Sequence, residues 1–209
     1  PWTAAGKLPV SLELIEDSVA PLEAWLMTQI SNQGGLLLEN LFTNGTGVQQ
    51  PTGHLLSGQM TTVATSGTAG ALEAADVFGM EFSVLAGYRA NGVYMANRMF
   101  WKAVAGLKGT DLFFWNPEGL RQRQMMTVRG VPALENDFYA YPETTIASAS
   151  TSDPLCSFAD WNHLYAVGRR LEIEVEFVRD SASLDAGGIN VYARLRFDGK
   201  VMNKMLVYY

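Results

Sequence analysis

The stretch Arg170–Phe197 reads RLEIEVEFVRDSASLDAGGINVYARLRF and alternates charged with apolar residues along most of its length. Glutamate occupies every second position from Glu172 to Glu176, and arginine follows the same spacing at Arg194 and Arg196. Successive side chains of a β-strand point to opposite faces, so the pattern predicts two strands that each carry one charged and one apolar face. The residues between them are small and turn-forming, which predicts an antiparallel ribbon with a loop at its tip.

One register satisfies both faces of this ribbon. With Val178 opposite Asn190, two glutamates meet two arginines and the apolar rows coincide. The resulting pairs are Glu172 with Arg196 and Glu174 with Arg194. A shift of two residues keeps the faces but changes the pairs, so the pattern predicts the ribbon and leaves the pairing open. Surface ion pairs contribute little stability, so the charged face is either an ordinary solvated face or one that meets copies of itself.

Composition excludes several classes of function. The 209 residues are 48% hydrophobic, enough for a substantial core, and 15 Lys and Arg against 21 Asp and Glu give a net charge of -6. That sign argues against tight nucleic-acid binding, which requires an excess of basic groups. The single cysteine, Cys156, excludes an internal disulfide and favours a reducing compartment. The sequence shows neither a signal peptide nor a long apolar run, which predicts a soluble intracellular protein.

Upstream of the ribbon the sequence predicts a long amphipathic helix. Apolar residues recur at helical spacing from Val10 to Phe42, with Ser18 as the N-cap and Pro21 in the first turn. Gly34–Gly35 weakens the pattern without ending it. The turn residues NGTGVQQPTG, positions 44–53, predict its end.

The middle of the chain predicts a mixed α/β layer, because helical and extended patterns alternate there. The predicted elements are a helix over Glu73–Tyr88, a strand over Gly92–Asn97, a helix capped by Asn97 and closed by Gly109, a strand over Leu112–Trp115, and a strand pair broken by Gly130 and Pro132. The tryptophans within these apolar patterns are predicted to be core residues; they are Trp25, Trp101 and Trp115.

The order of these local patterns resembles a known family. The segments that carry the resemblance are VSLELIEDS (10–18), NGTG (44–47), PTG (51–53), GYRANGVYMANRMFWKAVAGLKG (87–109), FFWNPEGL (113–120), RGVPALEND (129–137), SFADWNHLYAVGRRLEIEVE (157–176) and ARLRFDGKVMN (193–203). Taken in order over nearly the whole chain, they resemble the major capsid proteins of tailed bacteriophages, which have the HK97-like fold.

The resemblance implies an α+β, L-shaped subunit. Residues 1–55 and 165–209 would form a peripheral domain of a long spine helix and the long antiparallel β ribbon, and residues 56–164 a mixed α/β axial domain. The ribbon tip, Arg179–Gly188, would approach neighbours around a threefold axis. The loops over Tyr139–Pro154 would crowd the centre of a pentamer or hexamer.

The function implied is structural: self-assembly into an icosahedral phage or prophage head that encloses double-stranded DNA, built in the bacterial cytoplasm. The partners implied are identical subunits, with no cofactor, small-molecule substrate, tight nucleic-acid binding or membrane. Eight ribbon residues are the candidates for self-assembly contacts: Glu172, Glu174, Glu176, Arg179, Asp180, Asp185, Arg194 and Arg196.

Two features of the family are not matched. Its members carry an N-terminal arm and an extended hairpin, the E-loop, before the spine helix, whereas this chain starts after both, so the chain by itself is expected to be a monomer. Some members also cross-link through a lysine and an asparagine, and neither residue can be assigned here.

Two alternatives remain open. An encapsulin-type compartment shares the fold but packages enzymes, and a cargo-binding groove would favour it. A cysteine hydrolase would use Cys156 and His163, with Asp160 nearby in sequence, and would need a cysteine of depressed pKa. A metal site is not predicted, because the two histidines, His54 and His163, lie far apart in the sequence.

Overall fold

The computed structural model describes residues 1–17, 22–56, 61–62, 72–105, 127–128, 130–140, 154–181, 187–203 and 207–208. The chain forms two compact units. Unit 1 comprises Pro1–Thr52 and Val167–Lys200, and unit 2 comprises Gly53–Ala166 and Val201–Tyr209. The sequence-based boundaries assign residues 53–55, 165–166 and 201–209 to the peripheral domain, whereas here these residues cluster with unit 2. The identification of the units as peripheral and axial stays a prediction.

The described elements are, in chain order, β1 (Trp2–Ser11), α1 (Leu12–Asp17), α2 (Leu22–Asn44), β2 (Thr61–Thr62), α3 (Ala74–Ser83), α4 (Ala86–Arg89), β3 (Val93–Ala96), α5 (Arg98–Ala105), β4 (Thr127–Val128), β5 (Val131–Glu135), β6 (Cys156–Ala159), α6 (Trp161–Leu164), β7 (Tyr165–Val178), β8 (Gly188–Val201) and β9 (Val207–Tyr208).

A three-stranded sheet in the order β1-β8-β7 forms the base of unit 1. The adjacent long strands β7 and β8 confirm the predicted ribbon. Strand β1 pairs antiparallel with β8 from Trp2 opposite Phe197 to Ser11 opposite Gly188. The prediction of helix from Val10 is therefore wrong, because the chain stays extended to Ser11. Trp2, Ala4, Leu8 and Val10 recur at alternate positions, but Gly6 and Pro9 weaken this pattern, and the strand is completed by pairing along β8.

Helix α2 packs its apolar residues on this sheet. Leu26 is buried with Val191 of β8, and Ile30 and Phe177 pack against the same cluster. Further along the helix, Phe42 meets Phe197 edge to face, with ring centroids 5.9 Å apart. The helix and the ribbon are remote in sequence but share one hydrophobic core.

The helix runs unbroken through its two central glycines. A Cβ on Gly34 would lie 2.6 Å from Cδ1 of Ile173, whereas nothing lies within 4 Å of a Cβ on Gly35. Gly34 thus lets the helix approach β7, and the cost of two glycines is offset by packing. The helix ends where Gly45 donates its amide to Leu41 O, and a side chain at Gly45 would collide with the backbone of Pro51. The turn predicted over 44–53 is confirmed.

Unit 2 is built around a six-stranded mixed sheet in the order β2-β9-β6-β3-β5-β4. Strand β3 runs parallel to β5 and antiparallel to β6. The apolar side chains of α3 and α5 pack into one core with these strands, and its most buried members are Val77, Met80, Tyr94, Phe100 and Phe158. Gly92, before β3, has no room for a Cβ because the Phe158 ring lies against it.

Several local predictions are confirmed in unit 2 and two are wrong. Asn97 caps α5, since its Oδ1 accepts from the Met99 amide at 3.0 Å, and Gly130 turns β4 into β5 with φ +80°. Pro132 does not break the strand pair, because it lies within β5 opposite Thr127. The predicted helix over Glu73–Tyr88 is instead two helices, because Val84 adopts an extended conformation between α3 and α4. Ser18, Pro21, Gly109 and the strand over Leu112–Trp115 lie outside the described residues.

The two helical glycines give a matched test of the packing of α2. Replacing Gly35 with Ala is expected to raise the free energy of unfolding by about 0.5–1 kcal/mol, because alanine is the better helix former and the site is open. Gly34→Leu is expected to lower it by about 1–3 kcal/mol, because the side chain would push into Ile173. Denaturant unfolding measures both, with Gly35→Leu as the control for side-chain size. Equal stabilities for Gly34→Leu and Gly35→Leu would show that α2 does not rest on β7.

Candidate self-association surfaces

The sheet of unit 1 carries a charged face on the side chains that alternate with its apolar ones. In β8 these are Tyr192, Arg194 and Arg196, and in β1 their partners across the strand are Lys7, Ala5 and Thr3. The side chains of Glu172, Glu174 and Glu176 belong to β7. We call the face made by Lys7, Tyr192, Arg194, Arg196, Glu172, Glu174 and Glu176 the charged face.

One predicted ion pair forms at the centre of the charged face. Arg194 Nη2 donates to Glu174 Oε2 at 2.6 Å, and both side chains remain well exposed, at 56% and 40%. The hydrogen bond and charge of Glu174, with the nearby charge of Glu176, raise the pKa of Arg194. Lys7 lies over the Tyr192 ring, 5.6 Å from its centroid. The sequence analysis missed Lys7 because it missed β1.

The sequence left the individual pairs open, and the other pair of that register, Glu172 with Arg196, does not form among the described residues. In the described part of the chain no ion pair joins these residues, and the buried Nε of Arg196 has no hydrogen-bond partner there. Glu172 is exposed. The alternation places both residues on the charged face, but a shared face does not bring two flexible side chains into contact.

The remaining candidate residues for self-assembly contacts, Arg179, Asp180 and Asp185, belong to the tip of the ribbon. Asn190 donates from Nδ2 to both carboxylate oxygens of Asp180, at 3.3 and 3.2 Å, so Asp180 holds the end of the ribbon. Arg179 is exposed. Asp185 lies outside the described residues, as do residues 141–153 of the predicted axial loop. Within the tip, the structure describes residues 179–181 and 187–188.

An apolar groove of about 410 Å³ lies within unit 1, between α2 and the β1 side of the sheet. Its floor is made of small residues such as Ala4, Gly6 and Ala193. Trp25 and Leu37 of α2, with Leu8 of β1, form its rim, and all three side chains are exposed, Trp25 by 57%. The prediction that Trp25 is a core residue is therefore wrong, whereas Trp101 is buried and Trp115 lies outside the described residues.

The residues of the hydrolase alternative do not form a catalytic arrangement. Cys156 is fully buried on β6, and burial raises the pKa of its thiol, the opposite of what a thiolate nucleophile requires. His163 is largely exposed and its Nδ1 is bonded to Asp160 Oδ2 at 2.8 Å. Asp160 also caps α6 by accepting from the Asn162 amide. The geometry assigns Asp160 and His163 to the start of α6 rather than to Cys156.

The described residues contain no cluster of three or more histidine, cysteine or acidic side chains arranged to hold a metal ion. None of their helices combines the length and apolarity needed to cross a membrane.

The chain is similar to known capsid proteins in sequence and in structure. A family model for the phage capsid family matches residues 1–208, and a search of curated proteins finds no match. The chain is similar to the capsid of a native GTA particle at 24% identity and TM-score 0.80, over 99% of this chain and 71% of that one. These similarities confirm the predicted α+β, HK97-like fold.

More distant structures share the fold. A structure from Gordonia phage Cozz is 17% identical with TM-score 0.64, over 99% of this chain and 69% of that chain. A holo encapsulin complex from Synechococcus elongatus is 13% identical with TM-score 0.63, over 99% of this chain and 72% of that chain.

The buried thiol gives a prediction at alkaline pH. Cys156 stays protonated when folded but ionises near pH 9 when unfolded, so above that pH the unfolded state binds fewer protons and the free energy of unfolding falls. The fall attributable to this thiol is at most about 1.4 kcal/mol per pH unit. Burial also raises the pKa of Tyr139, so a second decline is expected at higher pH.

Unfolding measured between pH 8 and 10.5 tests this, with Cys156→Ala as the control that removes the first decline and keeps the second. If the wild type and Cys156→Ala lose stability in parallel from pH 8.5 to 9.5, the thiol is not protected by burial.

Proposed function

The chain belongs to the phage capsid family and is a structural capsid protein, and we propose that it self-assembles into an icosahedral phage or prophage head around double-stranded DNA. Pentamers and hexamers of identical subunits, formed in the bacterial cytoplasm, would build this head. The observation that carries the proposal is the charged face: acidic and basic side chains in rows on one rigid sheet, with α2 packed on the other side.

The charged face has the properties of a surface that orients copies of itself. Both signs are present in ordered rows, so a neighbouring copy meets complementary charge in one register and like charge in others. The Nε of Arg196, buried without a partner among the described residues, is a donor that a carboxylate of another subunit would satisfy. Glu172, Glu176 and Arg179 are exposed and would supply further contacts.

Weak contacts suit a closed shell. Each subunit makes several contacts at once, so modest individual affinities multiply around a lattice, and a misplaced subunit can still leave. The net charge of -6 fits a container whose wall does not hold its DNA tightly.

A charge swap separates the role of the charged face within the subunit from its role between subunits. Glu174→Arg combined with Arg194→Glu keeps an opposite-charge pair inside the ribbon, so the fold and its thermal midpoint are expected to stay near those of the wild type. The exchanged charges would face the unchanged Glu172, Glu176 and Arg196 of neighbouring copies with like sign, so assembly of the full-length protein is expected to slow by about tenfold or more at low salt. Light scattering and electron microscopy measure the yield and rate of particles.

A matched control is Lys102→Glu with Asp137→Lys, two exposed changes in unit 2 that also preserve net charge. The proposal for the charged face fails if the Glu174→Arg, Arg194→Glu protein forms shells at the wild-type rate. It also fails if the single variants Glu174→Arg and Arg194→Glu, each as stable as the control, both assemble at the wild-type rate.

A second candidate function is an encapsulin-type compartment that packages protein. The apolar groove favours it, because an extended peptide could place alternate apolar side chains between α2 and β1. In that case Leu37→Glu in the full-length protein would leave shells intact but reduce protein cargo by about tenfold, because a charge on the rim opposes apolar burial.

Leu36→Glu is the matched control, since Leu36 is exposed on α2 but does not line the groove. Cargo that is equal in the wild type and both variants would exclude the groove as a cargo site. If Leu37→Glu instead abolishes assembly while Leu36→Glu does not, the groove is covered by another subunit.

A further inference from the structure

The loop that follows α2 is held by its own hydrogen bonds and carries an exposed valine near its tip. We call residues 45–52 the Val48 loop, in which the side chain of Val48 is 74% exposed. Gln50 Nε2 donates to Thr46 Oγ1 at 2.7 Å, and Thr46 pairs with Thr52 in an isolated β-bridge. The loop therefore presents Val48 in a defined position.

The backbone of the Val48 loop adopts a conformation that is uncommon for one of its residues. Gln49 has φ +56°, in the left-handed region that residues with a Cβ seldom occupy. Thr52 donates its amide to Gly199 O of β8 at 3.1 Å, which anchors the loop to the sheet of unit 1. Uncommon backbone conformations persist where the surrounding structure enforces them, and they cluster at active and binding sites.

The apolar groove of unit 1 has no charged residue among those that line it in the described part of the chain. The polar side chains that line it are the amides of Gln29 and Gln33. A charged group that entered the groove would lose its hydration without gaining an ion-pair partner, which is costly. The groove therefore favours an uncharged occupant with an apolar side chain to bury and an amide to hydrogen-bond.

The Val48 loop has these properties. Its sequence, GTGVQQPT, contains no charged residue. Val48 supplies a branched apolar side chain, and the neighbouring Gln49 is exposed and supplies an amide that can pair with Gln29 or Gln33. The loop and the groove are thus complementary in chemistry, and both belong to unit 1 of the same chain.

Three other large apolar side chains in the described part of the chain are at least 60% exposed, and each has a charged residue close to it. Arg89 lies over the ring of Phe82, with its guanidinium carbon 5.0 Å from the ring centroid, and it follows Leu85 by one helical turn. Lys200 precedes Met202 by two residues. Burying any of these side chains in the groove would bring a charge to its rim, so the Val48 loop fits the groove better.

The Val48 loop cannot reach the Trp25 end of the groove in its own subunit. Helix α2 rises about 1.5 Å per residue, so Trp25 and Asn44 lie about 28 Å apart along its axis. The four residues from Gly45 to Val48 can return by at most about 14 Å. A contact between Val48 and Trp25 must therefore join two copies of the chain.

We propose that the Val48 loop of one subunit seats Val48 in the apolar groove of a second copy, beside Trp25. This contact rests on the proposed self-assembly and specifies one of the surfaces that carry it. The contact joins different surfaces of two identical copies, so it is heterologous, and heterologous contacts close into rings when a rotation relates successive copies. Pentamers and hexamers are rings of this kind.

A charge at the tip of the loop tests the contact through assembly. Val48→Asp in the full-length protein is expected to lower the rate of particle formation by about tenfold or more, because the groove offers no partner for a carboxylate. Met202→Asp is the matched control, since it makes the same change of charge on a side chain that is 70% exposed in unit 2. Light scattering measures the rates, and thermal midpoints equal to that of the wild type show that both variants fold.

A disulfide tests the position of the contact. Trp25→Cys combined with Val48→Cys is expected to give covalent oligomers larger than dimers when the assembled full-length protein is oxidised in air with copper phenanthroline, since a disulfide requires Cα atoms within about 7 Å. Each single-cysteine variant is the control for pairing between like positions. The native Cys156 is fully buried, which protects it from the oxidant in all of these proteins.

The contact is overturned if Val48→Asp assembles as fast as Met202→Asp and the wild type. It is also overturned by closed shells in which the double-cysteine protein forms no more covalent oligomers than the single variants, a result that leaves the proposed function standing. Cross-linked oligomers from a protein that never forms closed shells would support the contact and contradict the proposed head.

Discussion

The packing of helix α2 on the strands β7 and β8 is the constraint on which unit 1 depends. The two elements lie at opposite ends of the chain, yet Leu26 shares a buried cluster with Val191, and Gly34 lets the helix touch Ile173. An isolated two-stranded ribbon is at best marginally stable in water. A helix with two central glycines is also expected to be unstable alone, because most helical stability comes from tertiary packing. Each supplies the apolar surface that the other needs.

The same packing explains why the other side of the sheet is available for contacts. Because side chains alternate along β8, covering one face with α2 leaves the opposite row, with Tyr192 and Arg194, directed away from the helix. The strand pairing holds that row in a fixed geometry, so the charged side chains along β8 keep a defined spacing. A subunit that must recognise copies of itself gains register from such a surface, whereas flexible loops would supply contacts without a fixed pattern.

The two units show where local sequence patterns suffice. The ribbon, the Asn97 cap and the Gly130 turn follow from spacing or from a single residue's chemistry, and all were predictable. Strand β1 was missed, because Gly6 and Pro9 weaken its alternating pattern and its pairing partner, β8, lies far along the chain. Lys7 and the apolar groove depend on β1 and were missed with it.

Trp25 follows a helical apolar pattern but lies on the rim of the groove, since periodicity gives the direction of a side chain and not what covers it. The hydrogen bonds that join Tyr139 to His54 and to Ser157 connect residues far apart in the sequence, and no local pattern predicts them. The Glu174–Arg194 pair was predicted from alternation, while Glu172 and Arg196 show that alternation does not decide which side chains meet.

Helix α2 and the ribbon pack together in unit 1, and we propose that their charged face contacts identical subunits. Electron microscopy of the particles formed by the full-length protein can show this contact. We expect uniform closed shells in which α2 lies on the sheet and the row from Tyr192 to Arg196 is buried between neighbouring subunits. Shells in which that row faces open solvent in every subunit, or in which α2 has left the sheet, would contradict it.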